Sequence, residues 1–75
     1  NNALFHRNLG TVLHEAGDLP GAVAALREGL RLDPKDAAAY GELGLALGMS
    51  GDVVGSAAAL REAIRLGHKT AKAFN

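Results

Sequence analysis

The chain contains no cysteine, so disulfides and thiolate metal sites are excluded. Tryptophan is also missing, and one tyrosine and two phenylalanines are the only aromatic residues. Neither sign of charge is in excess: 8 basic side chains face 8 acidic ones, so no global field favours nucleic acid or an anionic membrane. No uninterrupted apolar run approaches the ~18 residues of a membrane span. No export signal is recognisable, which leaves the cytoplasm as the default compartment. Among catalytic motifs, a G-x-S-x-G nucleophile elbow and an H-E-x-x-H metal pair are both absent. Proline occurs only twice in 75 residues, while alanine, leucine and glycine abound. That balance favours helices over strands. A chain of this length makes at most one small domain, which buries roughly 60% of its surface.

What is present is a repeat. Displaced by 34 residues, the chain matches itself: Leu9, Gly10 and Leu13 fall on Leu43, Gly44 and Leu47. Gly17 and Asp18 fall on Gly51 and Asp52, the run 24–28 on 58–62, Arg31 and Leu32 on Arg65 and Leu66, and Lys35 on Lys69. A fixed period of this size is the signature of a solenoid.

Each unit reads as two helices. The first is expected over 3–16, with Phe5, Leu9, Val12 and Leu13 on one inward face. Gly17 supplies a left-handed stop, Asp18 caps the next helix, and Pro20 is tolerated in its first turn. That second helix runs to about Leu32 with Val23, Leu26 and Leu30 inward, and Asp33 before Pro34 ends it. Asp36 caps a third helix over 37–50. Gly51 and Asp52 repeat the turn, a fourth helix runs to about Leu66, and Gly67 stops it. Thr70 caps a stub over 71–75. Gly10 and Gly44 lie mid-helix, where glycine costs ~1 kcal/mol relative to alanine. Their recurrence at one phase implies a close helix crossing, with Gly10 facing Ala22 and Gly44 facing Ser56.

These residues resemble the tetratricopeptide repeat. Its pattern of a bulky residue, Leu-Gly, an aromatic, then Ala, an aromatic and Pro is met by His6, Leu9, Gly10, Leu13, Ala22, Leu26 and Pro34. The second unit offers Tyr40, Leu43, Gly44, Leu47, Ser56, Leu60 and His68, and Phe74 stands where a third unit would open. Leucine replaces the aromatics, and His68 replaces the closing proline. The resemblance implies an all-α solenoid of antiparallel helix-turn-helix hairpins in a right-handed superhelix. The units run over 3–36 and 37–70, with a third begun at 71–75, and the chain, opening at Asn1, is expected to be a segment of a longer array. The related pentatricopeptide family, which reads RNA, has a period one residue longer.

The resemblance also implies a non-catalytic scaffold that binds a protein, peptide or partner helix. Such arrays bind through a concave surface lined by the first helix of each unit. The matching positions are Leu4, Arg7, Asn8, Thr11, His14 and Glu15, then Ala38, Gly41, Glu42, Leu45, Gly48 and Met49, with Lys72 and Asn75 opening the third row. A subclass that clamps the C-terminal carboxylate of chaperones uses a basic residue, asparagines and a lysine. Arg7 and Lys72 fit, but Thr11 and Glu42 occupy asparagine positions, and Glu42 repels a carboxylate. Asn8 fits the asparagine ladder of glycosyltransferase-linked arrays, which makes an accessory segment of a larger enzyme the alternative reading, although Glu42 breaks that ladder.

No cofactor, metal, nucleic acid or membrane is expected as a partner. His6 and His14 do not share a helix face. Arg27, Arg31, Arg61 and Arg65 form a stripe on the outer helices, which reads as a solvated face balanced by Glu28 and Glu62 rather than as an RNA-binding strip. Two hairpins leave an open C-terminal end, where Tyr40, Leu47, Leu60 and Ile64 are expected to keep apolar surface. That end makes a homo-oligomer possible, by stacking or by a face-to-face dimer; a swap in which helix four runs on into the stub is opposed by Gly67.

Overall fold

The computed structural model describes residues 2–67. Four helices follow one another: α1 (Asn2–Glu15), α2 (Leu19–Leu32), α3 (Ala37–Met49) and α4 (Val53–Arg65). They form two antiparallel hairpins, α1 on α2 and α3 on α4, and the hairpins join chiefly through α2 on α3. The chain is thus an α-solenoid of helical hairpins, as the period requires.

One turn is used twice. Gly17 and Gly51 adopt φ +88° and +93°, the left-handed conformation that side chains disfavour. The next residue then serves both helices. The Asp18 backbone N–H donates to the Leu13 carbonyl at 2.8 Å and closes α1, while its carboxylate accepts from the Gly21 N–H at 3.0 Å and opens α2. Asp52 repeats this, donating to Leu47 at 2.9 Å and accepting from Gly55 at 2.9 Å. Asp36 caps α3 by accepting from the Ala39 N–H at 3.2 Å. Gly67, at φ +97°, follows the end of α4, so α4 does not run on into a continuous helix there. Thr70, His68, Phe74 and the expected stub lie outside the described residues.

The core is one cluster of Leu26, Leu30, Ala39, Leu43, Leu47 and Ala59, with Val23 and Tyr40 packed against it. The glycine crossings are where each hairpin is drawn tight. An ideal Cβ on Gly10 would lie 2.6 Å from Leu26 Cγ, and one on Gly44 would lie 2.7 Å from Leu60 Cγ. The carbonyls of Ala22 and Ser56 follow at 3.3 Å. The leucine of the second helix therefore lies on bare backbone, ahead of the small residues expected to face it. In the second hairpin the Ser56 hydroxyl also donates to the Gly44 carbonyl at 2.8 Å.

Expectations are corrected at both ends of the chain. Phe5 and Val12 are exposed, because the face of α1 that carries them is the one a preceding hairpin would cover. At the other end Leu60 and Ile64 keep apolar surface, but Leu47 is buried in the core and Tyr40 is half-buried.

The two crossings differ in one respect that mutation reads. Leu26 is fully buried and has nowhere to go, whereas Leu60 is exposed and can swing outward. Gly44→Ala is therefore near neutral, since the helix-propensity gain of ~1 kcal/mol offsets a small displacement. Gly10→Ala is net destabilising, and Gly44→Leu overpacks the crossing by ~1–3 kcal/mol. Urea denaturation of the three variants checks this order.

Candidate functional site

The first helices of the two hairpins carry side chains at matching phase. Leu4, Asn8, Thr11 and Glu15 on α1 correspond to Ala38, Glu42, Leu45 and Met49 on α3, at spacings of four, three and four that keep each row on one helical face. Leu4, Asn8, Glu15, Leu45 and Met49 are exposed, and Thr11, Ala38 and Glu42 are half-buried. Apolar contact surface is therefore contributed by Leu45 and Met49 on one row and by Leu4 on the other. Met49 is unbranched and polarizable, which suits an adaptable contact.

Two links tie α1 to the second hairpin. At the start of the rows, one terminal nitrogen of the Arg7 guanidinium donates to both carboxylate oxygens of Asp36, each at 3.1 Å. The pair is partly buried, and the same carboxylate caps α3. At the far end, His14 Nε2 lies 2.9 Å from Met49 Sδ. The Thr11 hydroxyl donates back to the Arg7 carbonyl at 3.2 Å, so it is held along its own helix. Beside the Arg7–Asp36 pair, an open depression of about 340 Å³ is lined by Leu4, Arg7, Asp33, Lys35 and Asp36.

The expected groove residues thus divide. Arg7 is held by Asp36 and is not a free cation for a ligand carboxylate. Gly41 is buried and offers no side chain. Lys72 and Asn75 lie outside the described residues. The Arg7–Asp36 link was not anticipated, although the sequence carries a signal for it: the positions equivalent to Arg7 and Asp36 in the second unit are Gly41 and Thr70, so both partners break the repeat together. His14 and Met49 break it too, standing opposite Gly48 and Glu15.

On the outer helices, Arg31 donates to both carboxylate oxygens of Glu28 at 2.6 and 3.0 Å, and Arg65 donates through two nitrogens to one oxygen of Glu62. The hydrogen bond from each arginine holds its glutamate carboxyl below the ordinary value, and each arginine is raised in return. Arg31 and Arg65 of the stripe thus form solvated ion pairs, and Arg27 and Arg61 are exposed. Among the described residues, no group of three His, Asp or Glu side chains is placed to hold a metal ion, and no helix is long and apolar enough to cross a membrane.

Paired antiparallel helices, a repeated glycine-aspartate turn and leucine on glycine at each crossing define a helical-hairpin repeat protein. A family model described as TPR repeat matches residues 10–51, more than half of the chain, and the chain belongs to that family. No curated protein matches the chain. TPR repeats are generally protein–protein interaction modules and typically non-catalytic scaffolds.

The role of Asp36 is separable by substitution. Asp36→Ala removes both cap and ion pair and costs about 1–2 kcal/mol, whereas Asp36→Asn keeps a capping oxygen and loses only the pair, at most about 1 kcal/mol. Arg7→Met matches Asp36→Asn, and the urea midpoints of the three variants show it. The outer pairs give a pH dependence of known sign. Because Glu28 and Glu62 are depressed in the folded chain, their contribution is present above the unfolded value of about 4.3 and is lost as pH falls through the lower folded values. A variant carrying Arg31→Gln and Arg65→Gln loses less stability on acidification than the parent chain, as thermal melts across that range record.

Proposed function

We propose that this chain is a non-catalytic interaction module whose α1 and α3 rows receive a peptide or an amphipathic partner helix. Its units span 3–36 and 37–70, and the concave surface is the one bearing Leu4, Asn8, Thr11, Glu15, Ala38, Glu42, Leu45 and Met49. The observation that carries this reading is the matched phase of the two rows, exposed at Leu4, Asn8, Glu15, Leu45 and Met49 and cross-linked near both ends by Arg7–Asp36 and His14–Met49. Such cross-links lower the ordering cost of binding, because the surface is already in place. Apolar anchors at Leu45 and Met49 beside polar groups suit an amphipathic ligand.

Charge selects among such ligands. With Arg7 neutralised by Asp36, the remaining ionic groups on the proposed rows are Glu15 and Glu42. The preferred ligand is therefore apolar with basic residues, and an acidic C-terminal peptide of the kind a carboxylate clamp accepts is disfavoured by Glu42. The positions implied by the family resemblance also include Lys72, which lies outside the described residues.

The test is calorimetry with peptides selected against the chain from a random library. Leu45→Asp and Glu42→Lys each lower the affinity of the selected basic amphipathic peptides at least about tenfold, about 1.4 kcal/mol, while Arg61→Glu on the outer face leaves it unchanged. Binding that responds to Arg61→Glu and ignores both row variants overturns the assignment of the surface.

A further inference from the structure

The sulfur chemistry of this chain is concentrated in one atom. There is no cysteine, and Met49 is the single methionine. Its side chain is 65% exposed at the last residue of α3, open to a small oxidant in solution. The sulfur itself makes the contact between hairpins: Sδ lies 2.9 Å from Nε2 of His14 on α1. In the tautomer that carries its proton on Nε2, His14 donates to that sulfur. Both residues depart from the repeat, because Gly48 stands at the second-unit position of His14 and Glu15 at the first-unit position of Met49. An oxidisable atom therefore sits at an apolar anchor of the α3 row, and the same atom ties that row to α1.

We propose that Met49 is a reversible oxidation switch on this surface: its sulfoxide weakens ligand binding, and reduction restores it. The proposal rests on the peptide-binding reading of the α1 and α3 rows and adds regulation to it. The oxidant is a peroxide. The thioether sulfur attacks one oxygen of hydrogen peroxide, an S–O bond forms and the O–O bond breaks. Sulfur gives up two electrons, the peroxide is reduced, and the proton of the retained oxygen passes to the departing one, which leaves as water. Methionine sulfoxide reductases, one for each sulfoxide epimer, reverse the change. Exposure makes a methionine oxidisable; the surroundings of Met49 give the added oxygen two consequences. First, a polar acceptor replaces part of an apolar contact, and a ligand that covers it without a donor leaves it unsatisfied. Second, the seat of the side chain changes. At 2.9 Å no atom fits between the imidazole nitrogen and the sulfur. An N–H···O hydrogen bond by itself spans about 2.7–3.2 Å, so an oxygen that takes the His14 proton pushes the sulfur back from α1. Both effects act against a ligand lying across the two rows. Leu45, one turn earlier and also exposed, keeps the other apolar anchor, so affinity falls without vanishing.

The experiment is calorimetry of the full chain with one of the selected basic amphipathic peptides, chosen to lack methionine and cysteine. The chain is titrated as prepared, after mild hydrogen peroxide that is then removed, and after treatment of the oxidised chain with both reductases. Mass spectrometry verifies the gain and loss of one oxygen at Met49, and circular dichroism verifies that the helices persist. Oxidation lowers the affinity at least about fivefold, and reduction restores it. Met49→Leu, whatever its own affinity, gives the same value before and after peroxide, and Met49→Gln, which places a polar group there without an oxidant, binds more weakly than the parent. The His14 ring signals in NMR spectra move on oxidation of the parent chain and stay in place when Met49→Leu is treated. Equal affinity of the reduced and oxidised parent overturns the switch while leaving the groove reading intact. So does an equal loss in Met49→Leu, which puts the effect at another residue, and so does loss of helix on oxidation, which makes the effect unfolding. A chain that binds no peptide in either form removes the groove reading and the switch with it.

Discussion

A leucine resting on bare backbone sets the geometry of each hairpin. Leu26 occupies the space that a side chain on Gly10 would need, and Leu60 does the same at Gly44. Glycine weakens a helix in isolation. Here that loss is offset because the partner helix approaches closely enough to bury Leu26 completely and to place it in one cluster with Leu30 and Leu43. The second hairpin adds a hydrogen bond from Ser56 to the Gly44 carbonyl, where the first has only the small Ala22. With the crossing set in both units, α2 can lie against α3 and build a core from side chains of modest size. The near absence of aromatics follows from the same closeness: these interhelical spaces are narrow, and leucine and alanine fill them.

The regular part of this architecture was legible without coordinates. A period of 34 predicted the helix pairs, and each described boundary lies within about two residues of its capping signal. The turns were legible because a glycine followed by an aspartate has few other uses at the end of an apolar stripe. Burial at the ends was not legible in the same way. Phe5 and Val12 lie on an apolar face at helical spacing, and that spacing reports which face a helix would bury, not whether a neighbour is there to bury it. Leu47 failed in the opposite sense, because its own hairpin and α2 enclose it.

The surface rows were legible as positions but not as chemistry. Family resemblance pointed to Arg7 as a ligand-facing cation. The structure brings it instead against Asp36, a residue the sequence had already committed to capping α3. A carboxylate can do both, accepting a backbone N–H and a guanidinium together, and nothing in the local pattern reveals the second partner 29 residues away. What the repeat does reveal is that Arg7 and Asp36 depart from it jointly. In a chain built on periodicity, positions that fail to recur are where one particular unit departs from the generic one. The His14–Met49 contact belongs to the same class.

Asp18 and Asp52 have a kinetic consequence. Because one residue terminates a helix with its backbone and starts the next with its carboxylate, the end of one helix and the beginning of the other form in a single event. Zippering of the first hairpin thus needs no search between separately formed helices: the turn is both the last step of α1 and the first of α2. Contacts within each hairpin span short stretches of chain, the regime in which loop closure is cheap and folding is fast. The meeting of α2 with α3 is equally local, since only residues 33–36 separate them. Arg7 reaches 29 residues along the chain to Asp36, the cap of α3, and so ties the first hairpin to the start of the second.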